Sequence, residues 1–399
     1  MGDKVGLRRP RVIYWNNIPA PYMVDRFNAI ADSGKLDFEA WFNDRVETGR
    51  SWRVDESSWR FRYRYMPTTK ILNYRLHWPV PIIGRRPDVL VSLYAEPSFL
   101  FGWLIAKLRG SKTLFWCQVT HDRWVKRSTW KELLKWTIFP RLDATLGSGE
   151  ESRRFAMRYG VRSENALCLR HSIDIHLFTK GHQKYNPMRN DIRENLGVKG
   201  TVFIYVGRLW WGKGINYLLE AFEQAQQATR SEMSLMLVGD GPEEEALRSN
   251  CDIRNIRNVI FAGFHQSEEL PRFYAAADVF VFPTLGDPYG LVVDEAMASS
   301  LPVISTSAAG EITDRVIEGV NGYIVPPGDV KAFAECMVKF SNDHEKCIRM
   351  GRESARRMGG HTPEQWADDF QKLVQLVLTR NDPEKREGCS GGERDDINR

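Results

Sequence analysis

The sequence predicts an α/β protein with two domains, each wound on a parallel sheet, and three observations carry that prediction. Apolar, β-branched and aromatic runs of strand length alternate with amphipathic stretches of helical period through most of the chain. Asp278 to Ser305 is a complete unit: Val279 to Phe282 reads as a buried strand stopped by Pro283, Thr284 to Gly290 as a turn, Leu291 onward as a helix, and Leu301 to Ile304 as the next strand. With 399 residues, 42% of them hydrophobic, the chain can fill two ordinary cores. The boundaries are expected at 1–172 and 173–362, and the second core opens at Thr201.

Arg11 to Trp15 reads as the first strand, followed by the proline-stiffened turn NNIPAPY, an amphipathic helix from Met23 to Ala31 and a second strand from Leu36 to Phe42. In Trp59 to Tyr65, rings alternate with Arg60, Arg62 and Arg64 at strand period. This is an edge strand with its charges in water, or a base-stacking surface for single-stranded nucleic acid. Asp88 to Leu93 and Thr113 to Trp116 complete the strand set of the first domain, with Ser98 to Leu108 a core helix behind Pro97. His121, in QVTHD, then sits at a strand end, where ligand sites form. The stretch 123–141 mixes cations with Trp124, Trp130 and Trp136 and is expected to lie on an anionic membrane surface; an ordinary helix packed on the sheet is the alternative. Lys180 to Lys199 reads as an irregular connector.

In the second half, the strand Val202 to Val206 ends in GRLWWGKG before a helix at Ile215 to Gln224. Gly207 permits close backbone approach, and Arg208 and Lys213 are spaced to converge on one diphosphate. The strand Leu235 to Val238 closes with GDGPEE, where Gly241 lets a ligand lie against the backbone, and Val259 to Phe264 is a further strand. Asp287 and Glu295 bracket a helix start whose backbone N–H groups at Tyr289, Gly290 and Leu291 are open to a phosphate, while the carboxylates suit sugar hydroxyls. A nucleotide sugar fits that pairing. A turn-forming Asp287 and a Glu295 that merely complements the helix dipole remain the plainer account.

The acid-x7-Glu spacing within PYGLVVDEA, together with GRLWWGKG and GDGP in this order, resembles the retaining glycosyltransferases of the glycogen-synthase-like family four. The resemblance runs from about Thr201 to Asp329. It implies the GT-B fold, in which two Rossmann-like domains face each other across a cleft and a terminal helix, here 363–380, crosses back to the first domain. It also implies a nucleotide-diphosphate sugar as donor, bound by Gly207, Gly241, Tyr289, Gly290, Leu291, Glu295 and, in the first turn, Asn17. Catalytic roles pass by the same resemblance to Arg208, Lys213, Asp287 and the strand-end His121. Asp287 stands where the family usually has Glu, and His171 and Ser172 stand in for its interdomain Asn-Gly.

No cofactor and no metal are expected, since no Asp-x-Asp pair occurs and two cations take the metal's place beside phosphate. The six cysteines are scattered without a C-x-x-C pair, which indicates neither zinc nor a disulfide framework. The start lacks the apolar stretch of a secretory signal, so a cytoplasmic location is expected, with any membrane contact peripheral on the inner face. Net charge is +5, divided as 30 Lys and Arg against 17 Asp and Glu up to Arg170 and 26 against 34 beyond it. The basic first half is expected to meet a glycan or lipid-linked acceptor and no nucleic acid. Two alternatives stay open: a sugar-nucleotide epimerase of the same fold and a non-enzymatic nucleic-acid binder. The charged tail 381–399 is expected to be disordered.

Overall fold

A computed structural model describes residues 8–45, 55–71, 74–79, 84–93, 97–118 and 129–380. The first sheet contains β1 (Arg11–Asn16), β2 (Asp37–Phe42), β3 (Arg62–Tyr65), β6 (Val89–Ser92), β7 (Lys112–Cys117), β8 (Ala144–Gly147) and β9 (Ala166–Cys168), in the order β3-β2-β1-β6-β7-β8-β9, all parallel. A small antiparallel hairpin, β4 (Thr68–Ile71) with β5 (Tyr74–His77), lies beside it. The second sheet contains β10 (Thr201–Val206), β11 (Met233–Val238), β12 (Val259–Gly263), β13 (Val279–Phe282), β14 (Val303–Thr306) and β15 (Gly322–Val325), in the order β12-β11-β10-β13-β14-β15, again all parallel. Strands such as VFIYV and VFVF are apolar at every position because helices cover both faces of such a sheet.

Two expectations need correction. Thr113 to Trp116 does not complete the first sheet, since β8 and β9 extend it; ATLG and the three-residue ALC are too short to show a strand pattern. Nor is Lys180 to Lys199 irregular. It holds the end of helix Ile175–Tyr185, capped by Asp174 Oδ1 on Leu177 N at 3.1 Å, and helix Arg189–Leu196. Arg189 and Arg193, one turn apart, both reach the buried Asp278 carboxylate, so a stretch that looks hydrophilic is docked by its charges.

The alternating arginines resolve as an edge strand. Arg60, Arg62 and Arg64 pair with Asp32, Asp37 and Glu39, while Phe61 packs on Phe27 and Phe38. A row of guanidiniums already held by carboxylates offers little to a nucleic-acid backbone.

Buried apolar residues form one large cluster from Ile173 to Met358 around the second sheet. Another, around the first sheet, includes Trp366, Phe370, Val374 and Val377 of helix Pro363–Thr379, which packs on helix Pro21–Ser33 and sets Phe370 6.1 Å from Tyr14. The chain thus crosses between domains twice, near 170–173 and near 358–362.

Helix Pro97–Leu108 is not wholly core: Phe101, Leu104 and Leu108 are exposed along one stripe. Of the stretch 123–141, residues 123–128 lie outside the described residues. Helix Thr129–Ile138 exposes Leu133 and Trp136 but turns Lys135 inward to Glu132, 2.8 Å away. Among the described residues no helix is long and apolar enough to cross a membrane.

Candidate functional site

The site forms where β10, β11 and β13 end. Leu209 N donates to Asp240 O at 2.7 Å, and Leu285 N to Gly212 O at 3.0 Å, so the loop after β10 is sewn to both neighbouring exits. The glycines serve this sewing. A Cβ on Gly241 would lie 2.1 Å from Leu209 O, and one on Gly239 would lie 2.0 Å from Gly207 O. Any side chain at Gly241 would therefore collide with the neighbouring backbone. Gly207, at φ 148°, ends β10 against the Tyr205 hydroxyl. Gly214, at φ 70°, passes so close to Pro283 O that a side chain would collide at 2.1 Å.

This sewing delivers Lys213 to Asp287. Their ion pair is short and nearly buried, with the lysine side chain 20% and the aspartate side chain 12% exposed. Asp287 Oδ1 also accepts from Tyr289 N at 2.9 Å. Burial pushes the Asp287 carboxyl up, but the Lys213 ammonium, the Tyr289 N–H and Arg315 outweigh it and hold the group below the usual range. The Tyr289 N–H is thus engaged, contrary to the expectation of three open donors. Gly290 and Leu291 remain: at the start of helix Leu291–Ala298 neither N–H has an acceptor among the described residues. Gly290, at φ 73°, lies under the Phe282 ring, where a Cβ would meet a ring carbon at 2.6 Å. Arg208 is exposed at the mouth of the same loop and forms no ion pair among the described residues.

Glu295, one turn into that helix, accepts from the buried Tyr274 hydroxyl at 2.9 Å. Burial pushes its carboxyl up to about 7, the Tyr274 bond opposing and Asp294 adding to the shift. The two acids expected at one mouth therefore differ in kind. Asp287 is a fixed anion on a cation, and Glu295 changes charge near neutrality.

Two candidates of the first domain remain. His121 lies outside the described residues. Asn17, after β1, is tied to the exit of β2: its carbonyl accepts from Asn43 N at 3.0 Å and Asp44 N at 2.9 Å, and its Oδ1 from Asn43 Nδ2 at 3.3 Å. Those bonds make it a brace for the β1 exit.

Three residues that sequence reasoning did not select organise the seam between the domains. His171 is buried between Trp116 of β7 and Tyr289, with ring centroids 5.1 and 4.6 Å away. Arg26 can only donate, so His171 Nδ1 accepts from it at 2.8 Å, and the Gln118 amide nitrogen stands 2.7 Å from the other ring nitrogen. Burial, then Arg26 and Arg315, hold His171 well below the ordinary histidine value, hence neutral. Arg315, 4% exposed, binds Asp294 at 3.2 Å and the carbonyls of Gly290 at 3.0 Å, Gly310 at 2.9 Å and Tyr289, and it lies 4.0 Å over the Tyr289 ring. It fixes the loop that carries Asp287.

Glu311 is the third. At φ 55° it occupies backbone space that favours glycine, and its buried carboxylate accepts from Glu151 N at 2.9 Å, Ser152 N at 2.8 Å and Ser152 Oγ at 2.6 Å. Asp314 accepts from Glu150 N at 3.2 Å. Two carboxylates of the second domain thus cap helix Glu150–Arg158 of the first. Removing one such cap typically costs ~0.5–2 kcal/mol. Glu311→Ala is therefore expected to shift the protein toward an open arrangement, read as a larger radius of gyration in small-angle scattering. A profile identical to wild type would show that the contact does not hold the domains. The only sequence hint was the AGE triplet after β14, and nothing in it points across to Glu151.

Residues 200–343 match the family model of glycosyl transferases group 1. The chain is 33% identical over 147 residues to an uncharacterized glycosyltransferase, MJ1607, of Methanocaldococcus jannaschii, a match covering 36% of this chain and 37% of that protein. It is 29% identical over 296 residues to the sulfoquinovosyl transferase SQD2 of Arabidopsis thaliana, covering 69% of this chain and 53% of that one. The matches thus span from about a third to about half of those relatives' length. Among solved structures, Anabaena Alr3699/HepE in complex with UDP and glucose superposes with a TM-score of 0.71 at 17% identity, over 92% of this chain and 100% of that one. The sucrose-phosphate synthase of Thermosynechococcus elongatus gives 0.72 at 19%, over 93% and 100%. Two all-parallel α/β domains and these superpositions give the chain the GT-B fold, and its second domain carries the match to the glycosyl transferases group 1.

Proposed function

We propose that this protein transfers a sugar from a nucleoside-diphosphate sugar to a hydroxyl of a glycan or lipid-linked saccharide, with retention at the anomeric carbon. The observation that carries the reading is the Lys213–Asp287 pair set beside the unpaired N–H groups of Gly290 and Leu291. Charge develops on the leaving diphosphate as the bond from the anomeric carbon to phosphate oxygen breaks. Lys213, Arg208 and the helix start meet that charge without reorganising. The acceptor oxygen bonds to the same carbon, and its proton passes to the departing phosphate oxygen. Asp287 orients donor-sugar hydroxyls while it holds Lys213, and Glu295 accepts from the ribose diol. A donor of this class is supported by the structural relative that holds UDP and glucose. The epimerase reading finds no support among the relatives above, which are named as transferases or a synthase.

No metal enters this scheme, so a chelator is expected to leave turnover unchanged, and abolition by chelation would remove the assigned roles of Arg208 and Lys213. The test of the reaction itself is turnover of a panel of nucleotide sugars with glycan and membrane-extract acceptors, the product's anomeric configuration being read by NMR. Release of an isomerised donor without acceptor, or inversion, would overturn it.

Glu295 adds a pH signature. Its carboxyl is mostly protonated below about 7 and charged above, and the charged form is the stronger acceptor for a diol. Nucleotide affinity is expected to rise as pH increases through about 7 and to lose that dependence in Glu295→Gln, as measured by calorimetry. The same displacement lowers folding stability as pH climbs from the ordinary 4.5 toward about 7, because the unfolded chain releases that proton first.

For the acceptor, we place the basic first domain against the inner face of a membrane. The exposed stripes Phe101, Leu104, Leu108 and Leu133, Trp136 support this, the last two being 68% and 54% exposed. Cosedimentation with anionic vesicles is expected and should be lost in Leu133→Glu/Trp136→Glu; equal pelleting of both proteins would remove the idea.

A further inference from the structure

A cavity of about 230 Å³ opens where the chain crosses between domains, on the face of helix Leu291–Ala298 that carries Asp294 and Met297, not the face that carries Glu295. Its charged lining comes from both crossings. Arg170 opens the first, Arg356 and Arg357 lead into the second and His361 lies in it, with Arg170 Nη1 3.5 Å from His361 Nε2. Neither Arg170 nor Arg357 has a carboxylate within ion-pair distance among the described residues; Arg357 Nε donates only to Arg315 O at 3.3 Å. Arg356 is paired with Glu353 at 2.9 Å.

The two acids in the wall are already satisfied. Asp294 is held by Arg315 at 3.2 Å, and Asp314 accepts from Glu150 N at 3.2 Å. What remains is two guanidiniums, Arg170 and Arg357, converging on one cavity with no carboxylate of their own among the described residues. We propose that this hinge pocket binds a phosphate dianion, as inorganic phosphate or a small soluble phosphomonoester. Planar guanidiniums match phosphate oxygens two at a time. The cavity lies below the ~300–1,000 Å³ of pockets for drug-sized ligands, which suits a small anion. It also lies at the crossover rather than on the apolar stripes of helices Pro97–Leu108 and Thr129–Ile138, which favours a dissolved ligand over a lipid headgroup. Bound there, the anion would tie the two crossings together. It would also touch Arg315, which fixes the Asp287 loop.

The test is calorimetric titration of the full chain with inorganic phosphate, without nucleotide and with saturating UDP. The expected result is one site per chain that persists with UDP, weakens at least tenfold in Arg170→Glu and in Arg170→Gln/Arg357→Gln, and is unchanged in Arg208→Ala. Arg170 is exposed and, among the described residues, has only His361 as a polar side-chain partner, so Arg170→Glu folds even if the double variant does not. Absence of phosphate binding, loss with Arg208→Ala in place of Arg170→Glu, or binding to phosphatidic acid vesicles alone would overturn the proposal. The phosphate isotherm is read without assuming transferase activity, so failure of UDP to bind would count against the donor reading and leave this one standing.

Discussion

Lys213→Ala is expected to lower turnover by about 10²–10³-fold, the range found when one preorganised charge-stabilising group is removed from an active site. The lysine has two tasks here, and the substitution removes both. It faces the diphosphate as the sugar departs, and it neutralises Asp287, whose carboxylate is held below its usual range chiefly by that ammonium against the opposing effect of burial. Without Lys213 the Asp287 carboxyl rises, because burial is no longer opposed by the ammonium, and the carboxylate that orients the sugar hydroxyls loses its anchor. Lys213→Ala/Asp287→Asn separates the tasks: it removes the stranded anion, restores the melting temperature and leaves turnover as low as in the single variant. If the double variant recovered wild-type turnover, Lys213 would be a counterion alone and the assignment of the leaving-group site would fall.

Arg315→Ala should produce the largest loss of stability of any single change near the site, about 3–5 kcal/mol, the cost of leaving one partner of a buried ion pair alone. Asp294 is 2% exposed and would lose its counterion, while the carbonyls of Tyr289, Gly290 and Gly310 would lose their shared donor. The urea midpoint of the second domain is expected to fall accordingly. Asp294→Asn combined with Arg315→Met should recover part of the loss, because packing apolar groups where an ion pair stood is often neutral. A midpoint within experimental error of wild type would mean the loop keeps its shape without Arg315.

The sheets were legible where strands are long and buried, as in VFIYV, MSLMLV and VFVF, because a parallel strand covered on both faces leaves an unbroken apolar run. β8 and β9 escaped because four and three residues carry too little pattern. At the site, Lys213 was visible through its spacing in the turn after β10, and Asp287 and Glu295 through theirs about the turn after β13. That they form an ion pair and a neutral-range acid was not, since the first depends on the β10 and β13 exits meeting and the second on Tyr274 from another helix. Nor could sequence show that the Cβ position of Gly241 is taken by Leu209 O. The partners of His171, Arg315 and Glu311 were invisible for the same reason, since only the tertiary fold brings them near. His171 and its Arg26 partner stand 145 positions apart, and Glu311 and Ser152 stand 159 apart.

Trp366, Phe370 and Val374 close the core built on Tyr14 and Phe27, yet the whole of the second sheet is translated before them. On the ribosome the first domain therefore emerges with an apolar trough that no nearby segment can fill, and it waits through the synthesis of some two hundred residues for its last wall. That interval exposes the nascent chain to aggregation and to chaperones. Cutting the gene at the domain boundary would make the exposure permanent, so the two halves must be expressed as one polypeptide, or with the terminal helix moved to follow the first sheet directly.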